Sequence, residues 1–415
     1  MVKDNFDKGA DLERRVGRVE FGDGSLVRLR WPVVQHTNRR RLITDVDVFT
    51  LDFDSRLRPS IGIIECKSTR GRAGEHDRLL WLAGLRVLVR ASSARLVRDA
   101  VSPEGRDLAR QLGVEVMASR ELQRREESHG WLPYSFATVG NESYVSATRE
   151  ADAQFKTVGS IPADLVSYIR HDSLISPPHR ILGSILTLAE ILREGVVLPQ
   201  PAGMILAADT LVALLVSALR SARRLDQLGP DGMRREIEDG LATGNPHDRS
   251  IIRIVDLADR LLREQIATLQ KKYASAGAQP VEHYTPSLRE HVTFTPDWLT
   301  RFYDLSERLW HRPDLARELP QTVDLICYDA LLGNSNWKSQ AFSHLFSLEH
   351  RQLLVVAVDT LRAAAPELAS YLSGILDISF NMAPVPPRNV VRRNPLIKDS
   401  NEGDDGDGTQ QELPV

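Results

Sequence analysis

The sequence predicts an α/β domain with a mixed sheet over residues 1–127, a connection over 128–160, an all-α domain over 161–383 and a disordered acidic tail over 384–415. Three observations carry that division. Apolar and β-branched residues alternate at period 2 in the first third of the chain, as half-buried strands require. After Ile161 helical periods take over, in HRILGSILTLAEILREG, MILAADTLVALLVSALRSARRL and RSIIRIVDLADRLLREQIATLQKKYA. From Pro384 the chain is rich in Pro, then in Gly and Asp, with too little apolar surface to offset the entropy of ordering it.

Taken in order, Phe6 to Val19 reads as a helix with Leu12, Val16 and Val19 along one side. The GDG at 22–24 breaks it, and SLVRLRWPVV follows as the first strand. Further strands are expected at 42–53 and 60–67. A helix is expected at 77–84 (DRLLWLAG), then a short buried strand in LRVLVRAS. PEGRDLARQLG reads as a helix, VEVMA as a strand and SRELQRRE as a final helix, so the order is αβββαβαβα. The segment 128–160 is irregular and aromatic-rich (GWLPYSF, NESY). No repeat at a fixed period marks a solenoid in the helical part.

Composition bounds the class. A chain of 415 residues, 42% hydrophobic and 26% charged, is that of an ordinary soluble protein. The N-terminal stretch is too charged for a signal peptide. The most apolar run, Met204 to Leu219, carries Asp209 and is short for a membrane span, so it reads as a buried helix. Two cysteines, Cys66 and Cys327, point to a reducing compartment, and the expected location is cytoplasmic. The net charge of −3 hides an asymmetry: residues 1–130 hold 25 Lys+Arg against 20 Asp+Glu. A mildly basic first part is compatible with nucleic acid.

The chemistry concentrates between Ile43 and Lys67. Side chains two apart in a strand share a face, so Asp45 and Asp47 point one way, and so do Glu65 and Lys67. Pairing of the two strands would gather carboxylates and one ammonium at a sheet edge, as a divalent metal and a phosphodiester would need. Lys67 stands out because the chain has 8 lysines against 45 arginines, and the first 130 residues hold only Lys3, Lys8 and Lys67. The bland alternative is a surface ion pair, which contributes about 0–1 kcal/mol and gives no reason to prefer lysine. Arg28, Arg30, His36, Arg39, Arg40 and Arg41 precede the site and are candidates to grip phosphates, or else form a solvated turn. His76 and Arg78 follow it. There is no GxxxxGK, GxSxG, HExxH or CxxC, and the DGDG near the C-terminus lacks EF-hand spacing.

GADLERRV, then ITDVDVF, then IIECKS resembles the PD-(D/E)xK, or restriction-endonuclease-like, nuclease superfamily, in its Mrr-like and Holliday-junction-resolvase-like branches. The likeness covers about residues 6–127. It implies a restriction-endonuclease-like fold and a Mg²⁺- or Mn²⁺-dependent endonuclease acting on DNA, in a restriction or anti-phage setting by analogy. Carried over residue by residue, Asp47 and Glu65 become metal ligands, with the backbone carbonyl of Cys66 beside them. Lys67 becomes the base or electrostatic stabiliser. Glu13 matches an acid that some members add from the first helix, and Asp45 is either a further ligand or a solvated acid. The departure is that Val46, not proline, precedes the strand aspartate. The implied partner is nucleic acid, with a homodimer or protein contact through the helical part. The competing class is a non-catalytic nucleic-acid-binding or scaffold protein on the same fold.

Overall fold

A computed structural model describes residues 2–36, 40–67, 74–129, 131–243, 249–277 and 296–380. The N-terminal part runs α1 (Val2–Gly22), β1 (Leu26–His36), β2 (Arg40–Phe53), β3 (Pro59–Lys67), α2 (Glu75–Leu88), β4 (Ser93–Arg98), α3 (Pro103–Leu112), β5 (Glu115–Ala118) and α4 (Ser119–Ser128). The five strands form one mixed sheet in sequence order, β1-β2-β3-β4-β5. β1, β2 and β3 are antiparallel neighbours, whereas β3, β4 and β5 run parallel through crossover helices.

β3 is the central strand, and Ile63, Ile64, Glu65 and Cys66 are all buried there. A strand covered on both faces shows such a continuous apolar run. Gly62 is required in it, since a Cβ there would stand 2.3 Å from Thr50 Oγ1 on β2. On α1 the residues Leu12, Val16 and Val19 face the core, at the spacing of an amphipathic helix. α3 is bounded as its sequence suggests: the Ser102 side chain accepts from Gly105 N, Pro103 opens the first turn, and Gly113 closes it at φ 64°.

The strand expected in LRVLVRAS is absent. Leu85 to Leu88 continue α2, and the strand is SARLVR, Ser93–Arg98. Leu79, Leu82 and Leu85 are the buried set of that helix. Their helical spacing overrides the apolar run, and Gly84 is tolerated inside the helix because it is exposed.

The segment 128–160 is also more ordered than expected. It holds α5 (Glu142–Thr157), capped by the Asn141 side chain, and Phe136, Ala137 and Val139 are fully buried before it. Beyond it come α6 (Ala163–Arg170), α7 (Pro178–Arg193), α8 (Ala202–Thr243) and α9 (Arg249–Ser275), then helices at Leu299–His311, Leu319–Leu325 and Leu348–Ala364. The described residues from Ala163 to Asp377 are thus mostly helical. The expected tail, 384–415, lies outside the described residues.

α8 is the axis of the helical part. Its apolar stretch is long and apolar enough to cross a membrane by length and composition, but it is wholly buried inside the protein. It breaks at Gly229–Pro230, where the Gly229 backbone is non-helical. One hydrophobic core runs from the sheet into these helices. Phe21 and Phe136 stack edge-on with Phe342, and Gln321 donates to the Phe21 and Ser25 carbonyls.

Candidate active site

Three of the four residues singled out in the strand pair come together. The register Val48↔Ile64 sets Asp47 beside the end of β3. Its Oδ2 accepts from Cys66 N at 2.7 Å, so the backbone of β3 itself fixes the carboxylate. Lys67 Nζ lies 2.7 Å from Glu65 Oε1 and 3.9 Å from Asp47 Oδ2. Glu65 is almost fully buried, while Lys67 keeps about a third of its side chain in solvent. The cluster therefore has a buried acid at its floor and an ammonium at its mouth.

Two helices complete it. From α1, Glu13 comes close enough that Asp47 and Lys67 both act on its charge. From α2, the half-exposed Arg78 brings Nη1 to 3.5 Å from Glu65 Oε1, with its guanidinium carbon 5.7 Å from the centre of the Trp81 ring. Burial pushes the Glu65 carboxyl up from its ordinary range, and the Asp47 charge adds to that push against the pull of Lys67 and Arg78. Burial likewise raises Glu13, against its pairing with Arg30. The Cys66 thiol is driven well above its usual value by burial and by Asp47, Glu13 and Glu65. It is a neutral, buried group whose contribution to the site is its backbone.

Asp45 behaves differently from its strand mate: it is exposed, opposite Pro32 on β1. The third acid near Asp47 and Lys67 is Glu13. Lys67 pairs with Glu65 and Asp47 rather than with a single carboxylate, so it is shared between the two expected ligands.

The arginines divide. Arg28, expected as a phosphate contact, is corrected: its guanidinium is buried in a two-pronged pair with Asp324, at 2.6 and 3.0 Å. A long strand leaning on a helical body buries alternate side chains, and a carboxylate from that body takes this one. Arg30 is half exposed but already engaged, its Nε 2.9 Å from Glu13 Oε2. It adopts φ 52°, a left-handed backbone that costs a non-glycine residue about 1–3 kcal/mol and recurs at functional sites. Arg41 is exposed. Arg39 and the side chains of His36 and Arg40 lie outside the described residues. His76 is exposed at the start of α2.

A trio built on the buried pair Glu75 and Arg98 was missed in the sequence. Glu75 opens α2 and pairs with Arg98 at 2.8 Å, and it accepts from Ser102 Oγ at 2.7 Å. Arg98 is the register partner of Lys67 on β4, so this trio anchors the strand beside the cluster. The only signal for it was an acid in a first helical turn, which is common to most helices.

No family model, no curated protein and no solved structure matches the chain.

A divalent metal fits the donor chemistry sparsely. Among the described residues no group of three or more His, Cys, Asp or Glu side chains forms a ready ligand set. Asp47 and Glu65 each use one oxygen in the contacts above, which leaves Asp47 Oδ1 and Glu65 Oε2 without a partner among the described residues. Two carboxylates with a nearby carbonyl suit Mg²⁺, which keeps several waters and takes few protein ligands.

Proposed function

We propose that the protein is a metal-dependent nuclease that hydrolyses phosphodiester bonds in DNA. The observation that carries this reading is the convergence of Asp47, Glu65 and Lys67 at the end of the β2–β3 pair. The lysine there is the only one between residues 9 and 130. Asp47 and Glu65 would hold Mg²⁺ or Mn²⁺, which when bound supplies a lowered water pKa and a clamp on the scissile phosphate. The chain's own residues do the rest. Asp47 is aimed by Cys66 N, so its free oxygen has a fixed direction. Lys67, about a third of its side chain in solvent, is placed to orient water and to stabilise charge that develops on the phosphate. Arg78 borders the same carboxylate and offers a second cation to the non-bridging oxygens.

The test is cleavage of plasmid and single-stranded DNA with Mg²⁺, with Mn²⁺ and with EDTA, for the native chain and for Asp47→Asn. We expect metal-dependent cleavage that EDTA and Asp47→Asn both abolish, with salt-sensitive DNA binding retained. Binding without cleavage under any metal would transfer the protein to the non-catalytic class. Cleavage by Asp47→Asn at the native rate would move the metal to other acids.

A further inference from the structure

The outer face of α2 is apolar where a surface helix is normally polar. Leu80, Val87 and Leu88 are 54%, 72% and 54% exposed. Gly84 lies between them, and a Cβ built there would meet nothing within 4 Å. At 100° per residue these four positions form one stripe. Leu79, Leu82 and Leu85 already supply the buried face of the helix, which packs on β4 and α3, so the stripe is surplus to that packing. Large apolar groups grouped on a surface mark an interaction site.

The helix also has opposite charges at its two ends. Asp77 is exposed in the first turn, and Arg90 is exposed just past the last. A two-fold axis beside Gly84 would lay Leu80 on Leu88 of a second copy and bring each Asp77 to the Arg90 end of its partner. Antiparallel helix dipoles favour the same arrangement. Every feature of the stripe is thus answered by the stripe itself, which is the requirement of an isologous contact.

We propose that α2 is a homotypic docking face on which a second copy of this chain packs antiparallel, the two helices crossing at Gly84. The missing side chain at Gly84 lets the backbones approach. A single helical stripe is smaller than a standard stable interface, so the pairing is weak and formed at high local concentration. Because α2 also carries Arg78, the contact would hold two candidate active sites in one assembly. That consequence rests on the nuclease reading, whereas the pairing itself does not.

The test is sedimentation velocity on the full chain over a concentration series, with thermal unfolding as the control for folding. The native chain should pass from monomer to dimer, and Leu88→Glu should stay monomeric with an unchanged midpoint. Asp77→Arg should weaken pairing at least about tenfold, and adding Arg90→Asp should restore it, a rescue that only the antiparallel geometry explains. Both native cysteines are buried, so Gly84→Cys introduces one accessible thiol, which should oxidise to a covalent dimer. A native chain that stays monomeric throughout the series overturns the proposal. So does a dimer that survives Leu88→Glu, which would shift attention to the exposed Ile254, Leu257 and Leu261 of α9. DNA cleavage is measured separately on the monomeric variant, so loss of pairing and loss of the nuclease reading are told apart.

Discussion

Two basic residues of the sheet, Lys67 and Arg28, have opposite fates, and substitution separates them. Lys67 shares its charge between Glu65 and Asp47 at the mouth of the cluster. Lys67→Arg keeps that charge and follows the chain's own habit, so a surface ion pair would tolerate it. A positioned ammonium would not be replaced by a bulky planar group that is never neutral. We expect a folded protein with an unchanged thermal midpoint, near-native DNA binding and cleavage reduced on the order of 10²–10⁴-fold. Native cleavage rates would return Lys67 to the ion-pair reading. Arg28 should show the reverse pattern. Arg28→Ala strands Asp324 in the core, and breaking a buried pair costs about 3–5 kcal/mol. Denaturant unfolding should show that loss, and Arg28→Met with Asp324→Leu should recover much of it. A fall in DNA affinity with native stability would contradict the buried role. The sequence made the first residue legible because a lysine among arginines is visible without a fold. It hid the second because Asp324 lies 296 positions away.

At the scale of elements, what was legible depended on whether the signal was local. The order αβββαβαβα was readable because each period-2 run is bounded by its own breakers. The position of β4 was not, because LRVLV satisfies both a buried strand and the last turn of a helix. Only packing decides, through Leu79, Leu82 and Leu85 against the sheet. The candidate site followed the same rule. Asp47, Glu65 and Lys67 lie on adjacent strands joined by a short turn, so their meeting was readable, whereas Arg30 holding Glu13 depends on how α1 crosses β1. The segment 128–160 failed for a different reason: its aromatics serve as core, with Phe136 between Phe21 and Phe342. Limited trypsin digestion should therefore spare Arg149 and Lys156 in α5, which packs along α8. First cuts at those two residues, found by mass, would mean that α5 is not docked. For the same reason a fragment of residues 1–127 should not fold alone, since it exposes Phe21 and leaves Arg28 unpaired.

At the scale of the molecule, the join between sheet and helices is polar at its centre, and that sets a pH dependence. Arg28 meets Asp324, Tyr328 donates to Asp209, and Asp209 also accepts from Arg170. Nearby, Asp329 accepts from Asn141 and from Trp337 N. Burial pushes Asp324 and Asp329 each up to about 6, and raises Asp209, Glu65 and Glu13 as well. In the unfolded chain these acids return to their ordinary values near 4. Between roughly pH 4 and 6 the folded protein therefore holds more protons than the unfolded one, and stability falls as pH rises through that window. The contribution is fully present below the unfolded values and lost above about 6. Acids held low by exposed partners, such as Asp11 and Asp54, act in the opposite sense, but only as pH falls below their ordinary values. Urea midpoints should thus increase from pH 7.5 to pH 5. Asp329→Asn keeps an acceptor for Trp337 N and removes one titrating group, so its midpoint should change less over the same range. A native midpoint that falls steadily from pH 7.5 to pH 5 would mean that these carboxylates are solvated, and that the helical region does not close over the sheet as described.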